Sequence, residues 1–267
     1  MNIVTISVFD LSICAILVLL LAGLSFQLRL GVGKSILIAA ARTVIQLMLI
    51  GLVLNAVFAD AHGGWIALIA LIMLLVAGRE VMMRQHRRFK GLWGFGLGSL
   101  SMFVSTFSVT ILVLVAVIGE DPWYSPQYAI PLLGMMFGNT MNGVALGMDR
   151  LTQMTWQNRL IVEARLMLGQ NWREAASDIY RESIRAGLIP IINAMAVAGV
   201  VSLPGMMMGQ ILAGVSPMIA VNYQIIIMFM IAAGTGFGTI VAVTIGMRRL
   251  FDERERLRLD RVILAAK

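Results

Sequence analysis

The chain has 267 residues, of which 59% are hydrophobic and 13% charged, with a formal net charge of +7 and a mean hydropathy of +0.88. A soluble domain carries about a quarter charged residues, so this composition excludes an ordinary soluble enzyme and points to an all-α, polytopic membrane protein. A single cysteine, Cys14, excludes an intramolecular disulfide.

Apolar runs recur along the chain at 7–27, 35–58, 64–82, 93–118, 127–148, 186–204 and 222–247. Each is long enough to cross a hydrocarbon core of roughly 30 Å as a helix, which predicts seven transmembrane helices in one membrane domain over 1–267. The opening MNIVTISVFDLSICAILVLLLAGLSF has neither a basic n-region nor a small-residue cleavage site, so it reads as a retained first helix. The turns near 28–34 and 79–90, the polar segment 149–185 and the tail 248–267 hold twenty of the twenty-one Lys and Arg residues, all but Arg42. The alternate connections hold Asp60, Glu120 and Asp121, and 205–221 carries no charge. Basic residues resist translocation, which predicts an external N-terminus, a cytoplasmic C-terminus and a cytoplasmic segment at 149–185. The positive charge is then a topology signal with some attraction to membrane lipid, and it calls for no nucleic-acid partner.

Seven spans with an external N-terminus also describe receptors and retinal proteins. A retinal Schiff base needs a lysine in the last helix, and the lysines are Lys34, Lys90 and Lys267. Gly31-Val32-Gly33-Lys34-Ser35 ends like a phosphate-binding loop, but the earlier glycine position is Leu28 and the stretch reads as a turn between two spans. The longest soluble stretch, 149–185, is far too short for a nucleotide-binding domain, so this chain does not hydrolyse ATP alone.

Within 149–185, Trp172, Ala175, Ala176, Ile179, Tyr180 and Ile184 fall on one helical face, with Arg173, Glu174, Asp178, Arg181, Glu182 and Arg185 on the other. A helix this polar lies at the membrane surface. Its charge is balanced, which suits a protein partner better than a lipid headgroup layer. Glu163-Ala164 is followed by Gly169 and then, ten residues on, by Ile179. This spacing resembles the cytoplasmic coupling motif of importer-type ABC-transporter permeases, a Glu-Ala-Ala, three residues, Gly, nine residues, Ile arrangement that docks into a groove on the ATPase. It departs from that motif at Arg165, where the third position is Ala, and at Arg181-Glu182, where it is Leu-Pro.

A wider resemblance rests on Val201-Ser202-Leu203-Pro204-Gly205-Met206-Met207, continuing through Gly209, Ala213-Gly214, Pro217 and Ala220 to Tyr223-Gln224-Ile225. With it go Arg181–Ala186, Leu188-Ile189-Pro190, Pro131-x-x-Gly134-Met135-x-x-Gly138-Asn139-x-Met141 and Arg42-x-x-Ile45-Gln46-Leu47. Together these resemble the bacterial FetB-type permeases, the membrane half of a two-component ABC transporter implicated in iron export, with plant relatives linked to aluminium tolerance. The resemblance implies a transport subunit of the bacterial inner membrane: a homodimer of this chain paired with two copies of a separate cytoplasmic ATPase of the FetA type. No cofactor is then bound by this chain, and ATP sits on the partner. Glu163, Ala164, Gly169 and Ile179 become the ATPase-coupling residues, and the sixth helix, continuous from Ile184, carries their movement into the membrane. The alternatives are export of another solute or metal by the same machinery, and a membrane scaffold or sensor that only recruits a cytoplasmic partner.

Polar groups inside the spans are candidates for a translocation pathway, because they are costly in hydrocarbon. Arg42 either snorkels to the interface or joins Gln46, one turn on, in hydrogen bonds across the bundle. Asn139 and Asn142 share a face of the fifth helix; with Asn193 in the sixth they read as pathway-lining or as interhelical glue, and Gln224 in the seventh could converge with them. The twenty methionines, clustered at Met135, Met136, Met141 and Met206–Met208, read as packing or as soft metal ligands. No His, Cys or carboxylate cluster with ligand spacing lies in the spans, and His62 and His86 fall outside them on opposite sides. Gly134/Gly138, Gly143/Gly147 and Gly234/Gly238 permit close helix contact. Pro204-Gly205 and the uncharged 205–221 suggest a break, with a re-entrant outer gate.

Overall fold

The structure, a computed structural model, describes residues 7–59 and 63–264. Asp60, His62 and Lys267 lie outside the described residues. The chain divides into two compact units, one made mainly by the first two helices and the other by nearly everything from Gly63 onward.

In the first unit α1 (Val8–Gln27) starts at a capping box, in which Ser7 Oγ accepts from the Asp10 backbone N–H and Asp10 accepts from the Ser7 N–H at 2.8 Å. The chain turns through Arg29 and Gly31, both with positive φ, into α2 (Gly33–Ala59). A Cβ on Gly33 would sit 2.9 Å from the Phe26 ring, so this glycine lets the hairpin close. The phosphate-loop lookalike is therefore a helix–turn–helix with no strand before it, as expected. Nearly every side chain of α1 and α2 is exposed and apolar, which suits a lipid surround.

In the second unit, α3 (Gly63–Met83) buries Ile66, Ala70, Leu74, Ala77 and Val81, one face at helical spacing. The next span, Leu92–Ile118, is continuous but changes pitch: α4 (Leu92–Met102), a π turn at Phe103–Phe107, α5 (Ser108–Val113) and a second π turn at Leu114–Ile118. The centre of the unit is α6 (Pro126–Gln157), which packs on α3, on α9 (Ser177–Val197) and on α11 (Pro217–Arg249). At Gly143 a Cβ would lie 3.0 Å from the Gly187 carbonyl oxygen, and at Gly147 3.2 Å from that of Ser183. Without hydrophobic drive between helices in lipid, such backbone approach supplies the packing. The expected close contacts hold for Gly143/Gly147 and Gly234/Gly238; Gly134 makes ordinary contact with Met73, and nothing lies near Gly138.

Six helices among the described residues are long and apolar enough to cross a membrane: Phe9–Gln27, Gly33–Asn55, Gly63–Met83, Leu92–Ile118, Pro126–Gln157 and Pro217–Arg249. The seventh expected span, 186–204, is the apolar half of α9, which ends at Val197 rather than continuing. There Gly199, at φ +82°, turns the chain, and its N–H donates to the Ser202 carbonyl at 2.9 Å. A short helix, α10 (Gly205–Leu212), follows Pro204, and Gly214 at φ +93° leads into α11.

Candidate functional site

All three basic stretches of the second unit gather at one end of its bundle. There α6 grips the turn after α3: Asp149 Oδ1 accepts from the His86 backbone N–H at 2.7 Å, and Thr152 Oγ1 donates to the Arg87 carbonyl at 2.8 Å. The Arg87 guanidinium lies 4.0 Å from the centroid of the Trp156 ring. The tail folds back onto the same turn, so that β1 (Arg87–Phe89) pairs antiparallel with β2 (Val262–Leu264). Asp252 closes this tail into a tight loop by accepting from the Arg254 and Arg256 N–H groups, and Trp172 stacks on Phe251 at 5.8 Å. Those N–H bonds, that from Arg256 foremost, hold the Asp252 carboxyl below its usual range, and the Arg258 guanidinium brings Asp260 down to about 2. This folded tail carries no local signal, because its partner strand lies about 175 positions away.

The 149–185 segment rides on this platform. α7 (Arg159–Met167) ends in a Schellman turn: the Gln170 N–H donates to the Arg165 carbonyl at 3.2 Å and the Gly169 N–H to that of Leu166 at 3.0 Å, with Gly169 at φ +89°. Only glycine takes that φ without strain, which accounts for the motif's Gly. Asn171 and Glu174 then form a capping box that starts α8 (Trp172–Ala175), and α9 follows at once. Ile179 is buried in the bundle core with Val162, Ala175 and Ala176. Arg165, the departure from the motif, donates to the Ala175 carbonyl and to Asp178, both at 3.1 Å, and so ties α7 to the start of α9. Glu182, the other departure, pairs with Arg150 of α6 at 3.2 Å.

While Val162 faces the core, α7 turns an apolar ridge outward. Leu160 is 70%, Met167 83% and Leu168 84% exposed, with Ile161 and Ala164 on the same face and Glu163 beside them. Spacings of one, three, three and one residues put these five on one side of the helix. Next to the ridge a groove of about 630 Å³ runs between Glu163, Met167, Gly169 and Gln170 on one wall and Arg254, Glu255 and Arg256 of the tail on the other. Of the four coupling candidates, Glu163, Ala164 and Gly169 thus share the exposed turn, and Ile179 anchors it from inside.

The pathway candidates are placed differently. Arg42 and Gln46 are exposed on α2 in the first unit. In the second unit Asn142 accepts a hydrogen bond from Arg84, Asn139 Nδ2 donates to the Met135 carbonyl at 2.8 Å, and Asn193 is exposed on α9. No hydrogen bond joins these three among the described residues. Gln224 is buried, with Oε1 unpaired among the described residues. Nor are three His, Cys, Asp or Glu side chains grouped as a metal site among the described residues. Sequence reading passed over a set of buried hydroxyls on α5, α6, α11 and the first π turn: Thr106, Thr110, Thr140, Thr235 and Thr239.

The model of a family described as "Uncharacterised protein family (UPF0014)" matches residues 8–251. The "UPF0014 membrane protein slr1647" of Synechocystis is 40% identical over 228 residues, covering 85% of this chain and 87% of its own. The "Probable iron export permease protein FetB" of Escherichia coli is 30% identical over 249 residues, 93% of each chain. "Protein ALUMINUM SENSITIVE 3" of Arabidopsis thaliana is 32% identical over 229 residues, 86% of this chain and 81% of its own. No solved structure matches. The FetB-type resemblance carried by Ser202–Met207 therefore extends over nearly the whole sequence, and this all-α, multi-pass membrane chain belongs to the UPF0014 family.

Proposed function

We propose that this chain is the membrane-spanning subunit of an ATP-driven iron exporter, working as a homodimer in a bacterial inner membrane and energised by a separate cytoplasmic ABC ATPase. The observation that carries the reading is the α7 ridge. An apolar face on a helix beyond the spans, set on a Schellman turn and bordered by charged groups, has the form of a helix-in-groove docking element. Its base is rigid: Arg165, Ile179 and the tail fix it to α9, and α9 packs along α6 and α11. Movement of a partner holding Met167 and Leu168 would pass into α9 rather than dissipate in a loop.

The course of the chain supports seven crossings. Both α6 and α11 run toward the basic end, so α9, antiparallel to them, returns the chain between; its 21 residues span roughly 32 Å at 1.5 Å each. The gathering of basic residues at one end supports a cytoplasmic platform and C-terminus. Iron as the substrate is taken from the name of the Escherichia coli relative, a probable iron export permease.

The test is to isolate the tagged chain from membranes and assay the co-purified material for ATPase activity with and without Fe²⁺, alongside Met167→Glu and Leu168→Glu. Iron-stimulated ATPase that both substitutions remove is the expected result. Activity indifferent to iron would overturn the substrate. Isolation without any ATPase would favour the scaffold reading and overturn the transporter.

A further inference from the structure

Thr140 on α6 and Thr235 and Thr239 on α11 are no more than 2% exposed, and their hydroxyls have no hydrogen-bond partner among the described residues. Buried hydroxyls in this bundle divide: Thr106 and Thr110 are likewise unpaired among the described residues, whereas others turn back on their own helix. Ser101, Ser105, Thr155 and Ser183, equally buried in the same bundle, each return the hydroxyl to their own i−4 carbonyl at 2.6–2.8 Å. Valine would fill the same volume with no polar atom to desolvate, so packing alone gives no reason for threonine at the three positions.

The three threonine side chains line one seam. The Thr140 side chain faces Gly234 and Gly238, Thr235 faces Gly143, and Thr239 lies between Gly143 and Gly187, with a Cβ on either glycine 3.0 and 3.2 Å from its Oγ1. A Cβ on Gly238 would also meet Ser105 Oγ at 2.8 Å, so the first π turn adjoins the seam, and π turns recur at functional sites. Both ends of α11 open into cavities. One, of about 260 Å³, is lined by Gln127, Tyr128, Met206, Asn222 and Tyr223. The other, of about 410 Å³, lies at the basic end between Trp172, Tyr180, Arg181 and Thr244. From Ile227 to Thr244 along α11 is roughly 26 Å at 1.5 Å per residue, most of the thickness of a hydrocarbon core.

We infer that the α6–α9–α11 seam is the path of the transported solute, closed in this conformation, with Thr140, Thr235 and Thr239 as its oxygen contacts when the helices part. Neutral oxygens of this kind suit a hard or borderline cation that keeps part of its water, and they hold it weakly enough to let it leave. At Gly143 and Gly187 the helices meet with only the small Thr235 and Thr239 side chains packed into the gap, so little bulk has to be displaced for them to part. The inference rests on the permease reading and deepens it.

The test uses the chain reconstituted in vesicles with its co-purified ATPase, following Fe²⁺ flux in wild type, Thr140→Val, Thr235→Val and Thr239→Val. Each valine should lower flux at least tenfold while the melting temperature stays level or rises, and the serine at the same position should recover at least half. Wild-type flux in all three valine variants overturns the inference. A valine variant that does not fold passes the decision to cysteine labelling: Thr235→Cys, in a Cys14→Ser background, should react with a small hydrophilic thiol reagent only while ATP is turned over. A thiol unreactive in every condition also overturns the inference. Absence of iron flux in the wild type counts against the proposed substrate instead, and the labelling arm, which needs no substrate, still decides the seam.

Discussion

Gly169 separates a coupling turn made by backbone geometry from one made by side-chain contact. It sits at φ +89° with nothing within 4 Å of where a Cβ would be, so Gly169→Ala adds no clash. The cost is that of a left-handed residue with a Cβ, about 1–2 kcal/mol, which lowers the population of the formed turn by roughly 5- to 30-fold. Gly169→Pro is worse for two reasons. Proline cannot leave φ near −65°, and it deletes the N–H that donates to the Leu166 carbonyl at 3.0 Å, worth about 1 kcal/mol more. The assay is stimulation of the partner ATPase at increasing partner concentration. Alanine should raise the half-maximal concentration by about tenfold, following the backbone cost, and proline should abolish stimulation. Both variants should insert and melt like wild type, because Gly169 is exposed and buries no neighbour. Normal stimulation by the proline variant would refute the coupling assignment. Alanine as damaging as proline would refute the backbone explanation, since only a side-chain collision in the docked complex gives that result.

Two further outcomes test the bundle and the tail. At Gly143 a Cβ would lie 2.5 Å from Thr235 Cγ2 and 3.0 Å from the Gly187 carbonyl, so Gly143→Ala should cost about 1–3 kcal/mol by overpacking. Gly138, five residues earlier on α6 with open space around it, should accept alanine with a gain of up to about 1 kcal/mol; equal melting temperatures for the two variants in detergent would count against the packing described. Asp260, held at about 2 by Arg258 against an ordinary 3.8, has a depressed folded pKa. Its hold on the tail is therefore fully present above the ordinary value and fades as pH falls toward the folded one. Pepsin should release a C-terminal epitope slowly at pH 4 and quickly at pH 2 in wild type, and the contrast should shrink in Asp260→Asn, with Asp252 supplying what remains. A wild-type rate that does not change over that range would refute the role of the pair.

What could be read from the sequence follows from where the information lies. Spans are local: eighteen or more apolar residues in a row need no partner to be recognised, and α1 to α6 and α11 fall where hydropathy puts them. The end of α9 at Val197 was harder, because the apolar run continues to Leu203 and only the turn at Gly199 breaks it. The turn at Gly169 was legible because its glycine is a local signal, whereas the Asn171 cap that starts the next helix was not singled out. Its departures at Arg165 and Glu182 looked like damage to a motif. In the fold they are its fastenings, since Arg165 reaches Asp178 and the Ala175 carbonyl and Glu182 reaches Arg150, contacts that side-chain identity alone does not reveal.

The polar groups of the interior are a different case. Asparagine inside an apolar run attracts attention because its amide is expensive to bury, yet Asn142 is met by Arg84 from the turn after α3 and Asn139 by its own helix backbone. Threonine draws none, because in a helix it ordinarily returns its hydroxyl to the preceding turn. Whether it does so depends on a rotamer that neighbouring helices impose. Here the same bundle holds both kinds, Thr155 paired at 2.7 Å to the Leu151 carbonyl and Thr235 and Thr239 paired to nothing among the described residues. A polar group that could satisfy itself locally and is held from doing so is costly in this conformation. A seam opened to water or an ion, as inferred above, would recover that cost at the unpaired threonines.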